Sequence, residues 1–199
     1  GNRISGEECR IHPARHGDAE EMIDLITKGL PDTVTIGGEA FLLEKDFRTW
    51  MRFCDEFEMW DQKQSLNVSY LFADEIPHIS TAEDMQAIIG FAYPPATVPK
   101  SGGGDGSRVL DYRIDADYIY SAFLQQYGID LTETGMHWHK FRALLNGLSS
   151  ATKLHEIIGY RCYNGDDKEY KRLREMWALP VKLSAADVQT VQEFEAYFE

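Results

Sequence analysis

Residues 111–148, DYRIDADYIYSAFLQQYGIDLTETGMHWHKFRALLNGL, constrain the fold more than any other part of the chain. Ala116, Ile119, Tyr120, Phe123 and Tyr127 all fall on one face of a helix when the residues are laid out at helical spacing. Trp138, Phe141, Leu145 and Leu148 repeat the pattern in a second helix. Gly128 and Gly147 stand where the two helices should stop, since glycine enters the left-handed cap conformation without a steric penalty. Ile129-Asp130-Leu131 and Thr132 to Gly135 turn the chain between them. Apolar stripes this wide have to be buried, and the protein's own core is the ordinary place for them. Part of so aromatic a surface can also receive another protein.

Around this pair the chain reads as mainly α, a helical domain of about seven helices with one small N-terminal β-hairpin packed on it. Residues 1–21 are polar, aperiodic and scattered with Gly, Pro, Arg and His, the composition of a disordered or extended leader. Organised sequence begins at Met22, a candidate initiator, with a brief helical turn through Met22, Ile23 and Ile26. Thr33–Ile36 and Glu39–Leu43 are β-prone runs separated by Gly37-Gly38, which predicts a hairpin. An isolated hairpin is marginal in water, so this one must lie on helices.

Asp46 is a good N-cap for a helix from Phe47 to Trp60, with Phe47, Trp50, Met51, Cys54 and Phe57 on one face. Residues 64–73 alternate like a strand at Val68, Tyr70 and Phe72, yet length and context also permit a short helix, which is the reading taken. Ser80 or Thr81 caps another helix running to Ala92. Residues 22–93 thus form the hairpin and its helices, 94–108 a flexible Pro/Gly loop, and 109–199 the helical half of the same domain. Thr152 opens a helix with Leu154, Ile157, Ile158 and Arg161 in register, and Asn164-Gly165 breaks it. Asp166 heads a helix bearing Tyr170, Leu173 and Trp177, which Pro180 closes, and Ser184 caps an acidic C-terminal helix.

Composition excludes several functions. The 199 residues carry 33 acidic against 20 basic side chains, a formal net charge of −13 that repels phosphate backbones and anionic membranes. The one basic cluster, Lys168 to Arg174, is diluted by Asp166, Asp167, Glu169 and Glu175 and reads as a solvated helix face. Without an apolar run of membrane length or a signal-like segment, the expectation is a soluble, cytoplasmic protein. Cys9, Cys54 and Cys162 are odd in number, widely spaced and expected to be reduced.

No chemistry-bearing constellation emerges, so no catalytic, metal or cofactor-binding residue is assigned. Gly102-Gly103-Gly104 lacks both the following Lys-Ser/Thr and the preceding buried strand of a phosphate loop. His137 and His139 are two apart and point away from each other on a helix, which suits surface or boundary positions better than a shared metal. Pairs such as Asp115/Asp117 and Asp166/Asp167 sit at presumed helix starts, where they complement the helix dipole. No acidic residue falls squarely on an apolar stripe, as a general acid would need.

The run Asp115–Phe123 with Tyr127–Leu131, the segment Trp138–Leu145 with Gly147-Leu148, Ile157–Arg161, and Tyr170–Arg174 with Trp177–Pro180 together resemble the bacteriophage gene-product-fifteen family. Leu30-Pro31 and Asp46-Phe47-Arg48 look like that family's opening, so the resemblance spans most of Met22 to Pro180. Where the family is expected to show two adjacent aromatics this chain has Trp138 then His139, and its Pro/Gly loop is long. The resemblance implies a tail-module protein of a phage or prophage, encoded next to the tape-measure gene and acting as a tail-assembly chaperone that coats the helical tape measure. A structural part of the tail or its connector is the alternative it leaves, with a small-molecule enzyme behind both. The implied partner is the tape-measure or another tail protein, with a homo-oligomer possible and neither nucleic acid nor membrane. Tyr118, Trp138, Arg142 and Tyr170 are the candidate contact residues by side-chain type.

Overall fold

Gly37 and Gly38 take φ of 59° and 86°, the left-handed pair that a two-residue hairpin loop demands. They join β1 (Thr33–Ile36) to β2 (Glu39–Leu42), paired antiparallel with Thr33 opposite Leu42 and Ile36 opposite Glu39. Alternation along β1 turns Val34 and Ile36 inward against the helix Ala82–Ala92, so the hairpin does lie on helices. The computed structural model describes Ile23 and residues 29–60, 65–94 and 108–180. Six helices lie in these ranges: α1 (Phe47–Glu58), α2 (Ala82–Ala92), α3 (Ala116–Tyr127), α4 (Trp138–Asn146), α5 (Lys153–Arg161) and α6 (Lys168–Met176). The expected leader, the turn at Met22–Ile26, nearly all of the Pro/Gly loop and the helix after Ser184 fall outside the described residues.

Local chemistry sets the helix ends. Asp46 caps α1 by accepting from the Arg48 amide at 2.9 Å. Thr81 and Asp84 form a reciprocal capping box at the start of α2. Thr152 caps α5, and Asp167, one residue later than expected, caps α6 through the Glu169 and Tyr170 amides. Gly128 ends α3 at φ 65°, as its role predicts. Gly147 does not: it ends α4 at φ −86°, and its missing side chain leaves room for the Tyr127 hydroxyl, which a Cβ would approach to 3.2 Å. Of residues 64–73, the described part (65–73) holds no α-helix and no strand. Within the described part a 3-10 turn covers Ser69–Leu71, and Phe72 then extends to bridge Leu43.

The core is built of rings. Phe141 of α4 stacks between Phe47 of α1 (4.7 Å) and Phe123 of α3 (5.1 Å), while Trp50 packs on Phe91 at 4.4 Å. These side chains are at most 4% exposed, so Phe123 and Phe141 carry the two stripes of residues 111–148 into the core, whereas Ala116 at the start of the first is exposed.

Candidate partner-binding surface

The four residues favoured as contacts separate into two groups. Trp138 and Arg142 lie inside, at 0% and 5% exposure. A short bridge between Asp46 and His137 seats the first turn of α4 beside the start of α1. From there α4 closes the C-terminal end of α2 with three side chains. Trp138 Nε1 and Arg142 NH1 both donate to the Ala92 carbonyl, at 3.1 and 2.9 Å, and His139 Nε2 donates to the Phe91 carbonyl at 2.9 Å. These carbonyls are among the four that any helix leaves unpaired at its end, and they carry the negative pole of its dipole. A buried guanidinium placed there needs no carboxylate; the helix end and the Trp138 ring, 5.6 Å away, are its counterweights. Burial nevertheless lowers the Arg142 pKa and raises those of Tyr93 and Tyr112.

His139 is buried, not at the surface or boundary as its spacing suggested, because the α4 face that carries Arg142 is turned toward α2. Burial holds its pKa down to about 4, so the ring is neutral. With Nε2–H spent on a carbonyl, Nδ1 bears the lone pair and has no hydrogen-bond partner among the described residues. His137 is also held below its usual value by burial; it donates to the Pro31 carbonyl and accepts from the His139 amide as the N-cap of α4. Both histidines are committed to backbone. Among the described residues no group of His, Cys, Asp or Glu could hold a metal ion.

Tyr118 and Tyr170, by contrast, belong to one outward face. Tyr118 on α3 meets Trp177 edge-on at 5.9 Å. Lys153 at the start of α5 lies over both Trp177 (5.5 Å) and Tyr160 (5.9 Å). Tyr160 neighbours Tyr170 at 6.2 Å, and Tyr170 stacks on Tyr163 at 4.9 Å. The result is a chain of partly exposed rings across α3, α5 and α6, with Tyr170 39% exposed at its end. α6 itself buries no residue. Sequence reasoning passed over Lys153, Tyr160 and Tyr163. The available signal was that Lys153 and Tyr160 in one helix, and Tyr170 and Trp177 in the next, each stand seven residues apart, which returns a helix to nearly the same side.

A second concavity, about 530 Å³, opens between α1 and α3 and is floored by Phe47, Ile119 and Leu131. Its polar rim is already satisfied: Arg48 donates to the Leu131 carbonyl at 2.6 Å and pairs with Asp46, and the Tyr120 hydroxyl donates to Asp130. No group in it is aimed at a ligand, so the ring-rich face is the stronger candidate.

The sequence model described as Bacteriophage Gp15 protein matches residues 26–179, which takes in the hairpin, all six helices and the whole ring-rich face. The chain belongs to the bacteriophage Gp15 family. No curated protein and no solved structure matches it. For this Gp15-family chain the mainly helical architecture with one hairpin stands as read from sequence, with six helices among the described residues. No helix among the described residues is long and apolar enough to cross a membrane.

Proposed function

We propose that this family member is a tail-assembly protein of a phage or prophage, a chaperone-like binder of the helical tape-measure protein that carries out no chemistry of its own. The observation that carries this reading is the outward chain of rings from Tyr118 through Trp177 and Tyr160 to Tyr170, with Lys153 laid across it. Aromatic side chains beside cations are what protein interfaces concentrate, because they bury much area at little entropic cost. An amphipathic helix, the chemistry of a tape measure, docks by laying its apolar side on such a face. Net charge −13 disfavours nucleic acid and anionic membrane as alternative partners. The protein would act in the host cytoplasm, before tails are complete.

Co-expression with fragments of the tape-measure protein from the same phage tests this. Fragments that are insoluble alone should stay soluble with the full chain, and Tyr170→Ala should reduce their recovery. If no fragment is held in solution, the chaperone reading fails. Presence of the protein in purified virions would support the alternative, a structural part of the tail or its connector.

A further inference from the structure

Among the described residues only one edge of the hairpin is covered. Leu43 donates to the Asp32 carbonyl at 2.9 Å, which fixes the alternation of the backbone. The N–H and C=O groups of Val34 and Ile36 face β2, and those of Thr33 and Thr35 face away from it. On the far side of β2 the chain supplies its own neighbour: Ala73 donates to the Leu42 carbonyl at 3.0 Å, and Glu44 to the Leu71 carbonyl at 2.8 Å. On the far side of β1 no hydrogen bond among the described residues reaches the outward groups of Thr33 and Thr35, and both residues are exposed. An open edge is ordinarily guarded by a charged side chain, a proline or a bulge, because it templates pairing with another chain. Thr33-Val34-Thr35-Ile36 carries no charge and no proline, is β-branched throughout, and keeps an unbroken register.

We propose that the β1 edge takes one extended, cationic segment of another protein, added as a strand beside Thr33–Ile36. The backbone groups of Thr33 and Thr35 supply the hydrogen bonds of such an addition, and alternate side chains of the segment supply its selectivity. Those alternate residues fall on the same face as Val34 and Ile36, toward α2, which packs on β1 rather than β2. Apolar residues suit them. Charge decides the rest: β1 and α2 together carry Glu83 and Asp84 and no Lys or Arg. Asp84 is spent on its capping box, but Glu83 makes no ion pair among the described residues. In a chain of net charge −13 this favours Lys or Arg on the incoming segment. A second copy fits poorly. Pairing β1 with its own copy about a two-fold axis sets both α2 helices on one face, under strands about 4.8 Å apart, whereas packed helices need about 8–10 Å. A single strand brings no such conflict. The edge is separate from the ring-rich face, and neither site needs the other.

The probe is a short synthetic peptide of alternating Val and Thr with Lys at each end, added to the full chain while amide exchange is followed residue by residue by NMR. In the free protein the Thr33 and Thr35 amides should exchange at least about tenfold faster than those of Val34 and Ile36, and saturating peptide should slow them by at least about tenfold. Thr35→Pro removes one outward donor at a position where a sheet edge tolerates proline, and should abolish binding while Val34 stays protected. The same peptide N-methylated at the amides that would donate to β1 should fail to bind the wild type, and one with Glu at each end should bind more weakly. Thr33 and Thr35 amides as slow as those of Val34 and Ile36 without peptide would show the edge already covered and overturn the proposal. Protection of the pair that grows with protein concentration alone assigns the edge to a second copy and also overturns it. So does a Lys-ended peptide that leaves their exchange unchanged, or one that binds equally well when N-methylated. Equal binding of the Glu-ended peptide overturns the choice of a cationic partner.

Discussion

Arg161 and Asp115 face each other in the interior as a two-point ion pair, NH1 to Oδ2 at 2.7 Å and NH2 to Oδ1 at 2.9 Å, with side chains only 5% and 1% exposed. Asp115 immediately precedes α3 and Arg161 ends α5. The carboxylate also accepts from the Asp111 amide, and the guanidinium reaches the Val109 and Trp177 carbonyls. One ion pair therefore pins the start of α3, the end of α5 and the chain leaving α6. Taking both charges out of water costs several kcal/mol each, offset only because so many of their donors and acceptors are satisfied.

Removing one partner strands the other. Asp115→Ala or Arg161→Met should each cost about 3–5 kcal/mol in urea unfolding. The double variant should cost less than the sum by more than about 1 kcal/mol, since the same interaction is lost once and no uncompensated charge remains. Additive costs would show that the pair does not act as a unit.

Acid should destabilise the protein partly through His139. Its folded pKa of about 4 lies below its ordinary 6.5, so between those values the unfolded chain takes up a proton that the folded chain refuses. This contribution is absent above pH 6.5, destabilises progressively as pH falls, and levels off below pH 4 at about 3 kcal/mol. His137, shifted the same way by burial, adds to it. In His139→Gln the difference in unfolding free energy between pH 6.5 and 4.5 should shrink relative to wild type. An unchanged pH slope would mean that the ring is not held neutral.

The fold was legible where local pattern and tertiary outcome agree. Asp46, Thr152 and the Gly37-Gly38 pair announce their elements because caps and tight turns depend on neighbouring residues. The apolar stripes of α3 and α4 fix which faces are buried, but not what the charged residues between them meet. Asp115 looked like a dipole-complementing helix start because its partner, Arg161, stands 46 positions away. A charged residue in register with Leu154 and Ile157 on α5 was the hint that a buried counter-charge exists. Residue type alone did not separate Trp138 from Tyr170: both are aromatic and helical, and only the packing of α4 on α2 turns one inward.

The two helix-ending glycines should respond differently to alanine. Gly128→Ala forces a side chain into the left-handed region and should cost about 1–2 kcal/mol, most of which Asn should avoid. Gly147 has ordinary φ, so its alanine variant should cost stability by crowding Tyr127, whose hydroxyl donates to the Leu144 carbonyl at 2.8 Å. In a Tyr127→Phe background Gly147→Ala should therefore cost less than in the wild type, while Gly128→Ala costs the same. Equal costs for Gly147→Ala in both backgrounds would remove the phenol from the account.

Thermal unfolding and partner binding should come apart along the inside–outside division of the four contact candidates. Trp138→Ala empties a fully buried site and removes one of the two donors to the Ala92 carbonyl at the end of α2, so a loss of about 3–5 kcal/mol of stability is expected. Its binding, measured only under conditions where the variant is still folded, should change little. Tyr170→Ala removes a ring that is 39% exposed from a helix with no buried residue, and its stability should stay within about 1 kcal/mol of wild type. Its affinity for a tape-measure fragment should nevertheless fall about tenfold, and Tyr118→Ala should fall with it, because Trp177 and Lys153 link the two rings into one surface. A Tyr170→Ala chain that binds as tightly as wild type would move the contact surface elsewhere, with the α1–α3 cleft beside Arg48 as the next place to probe.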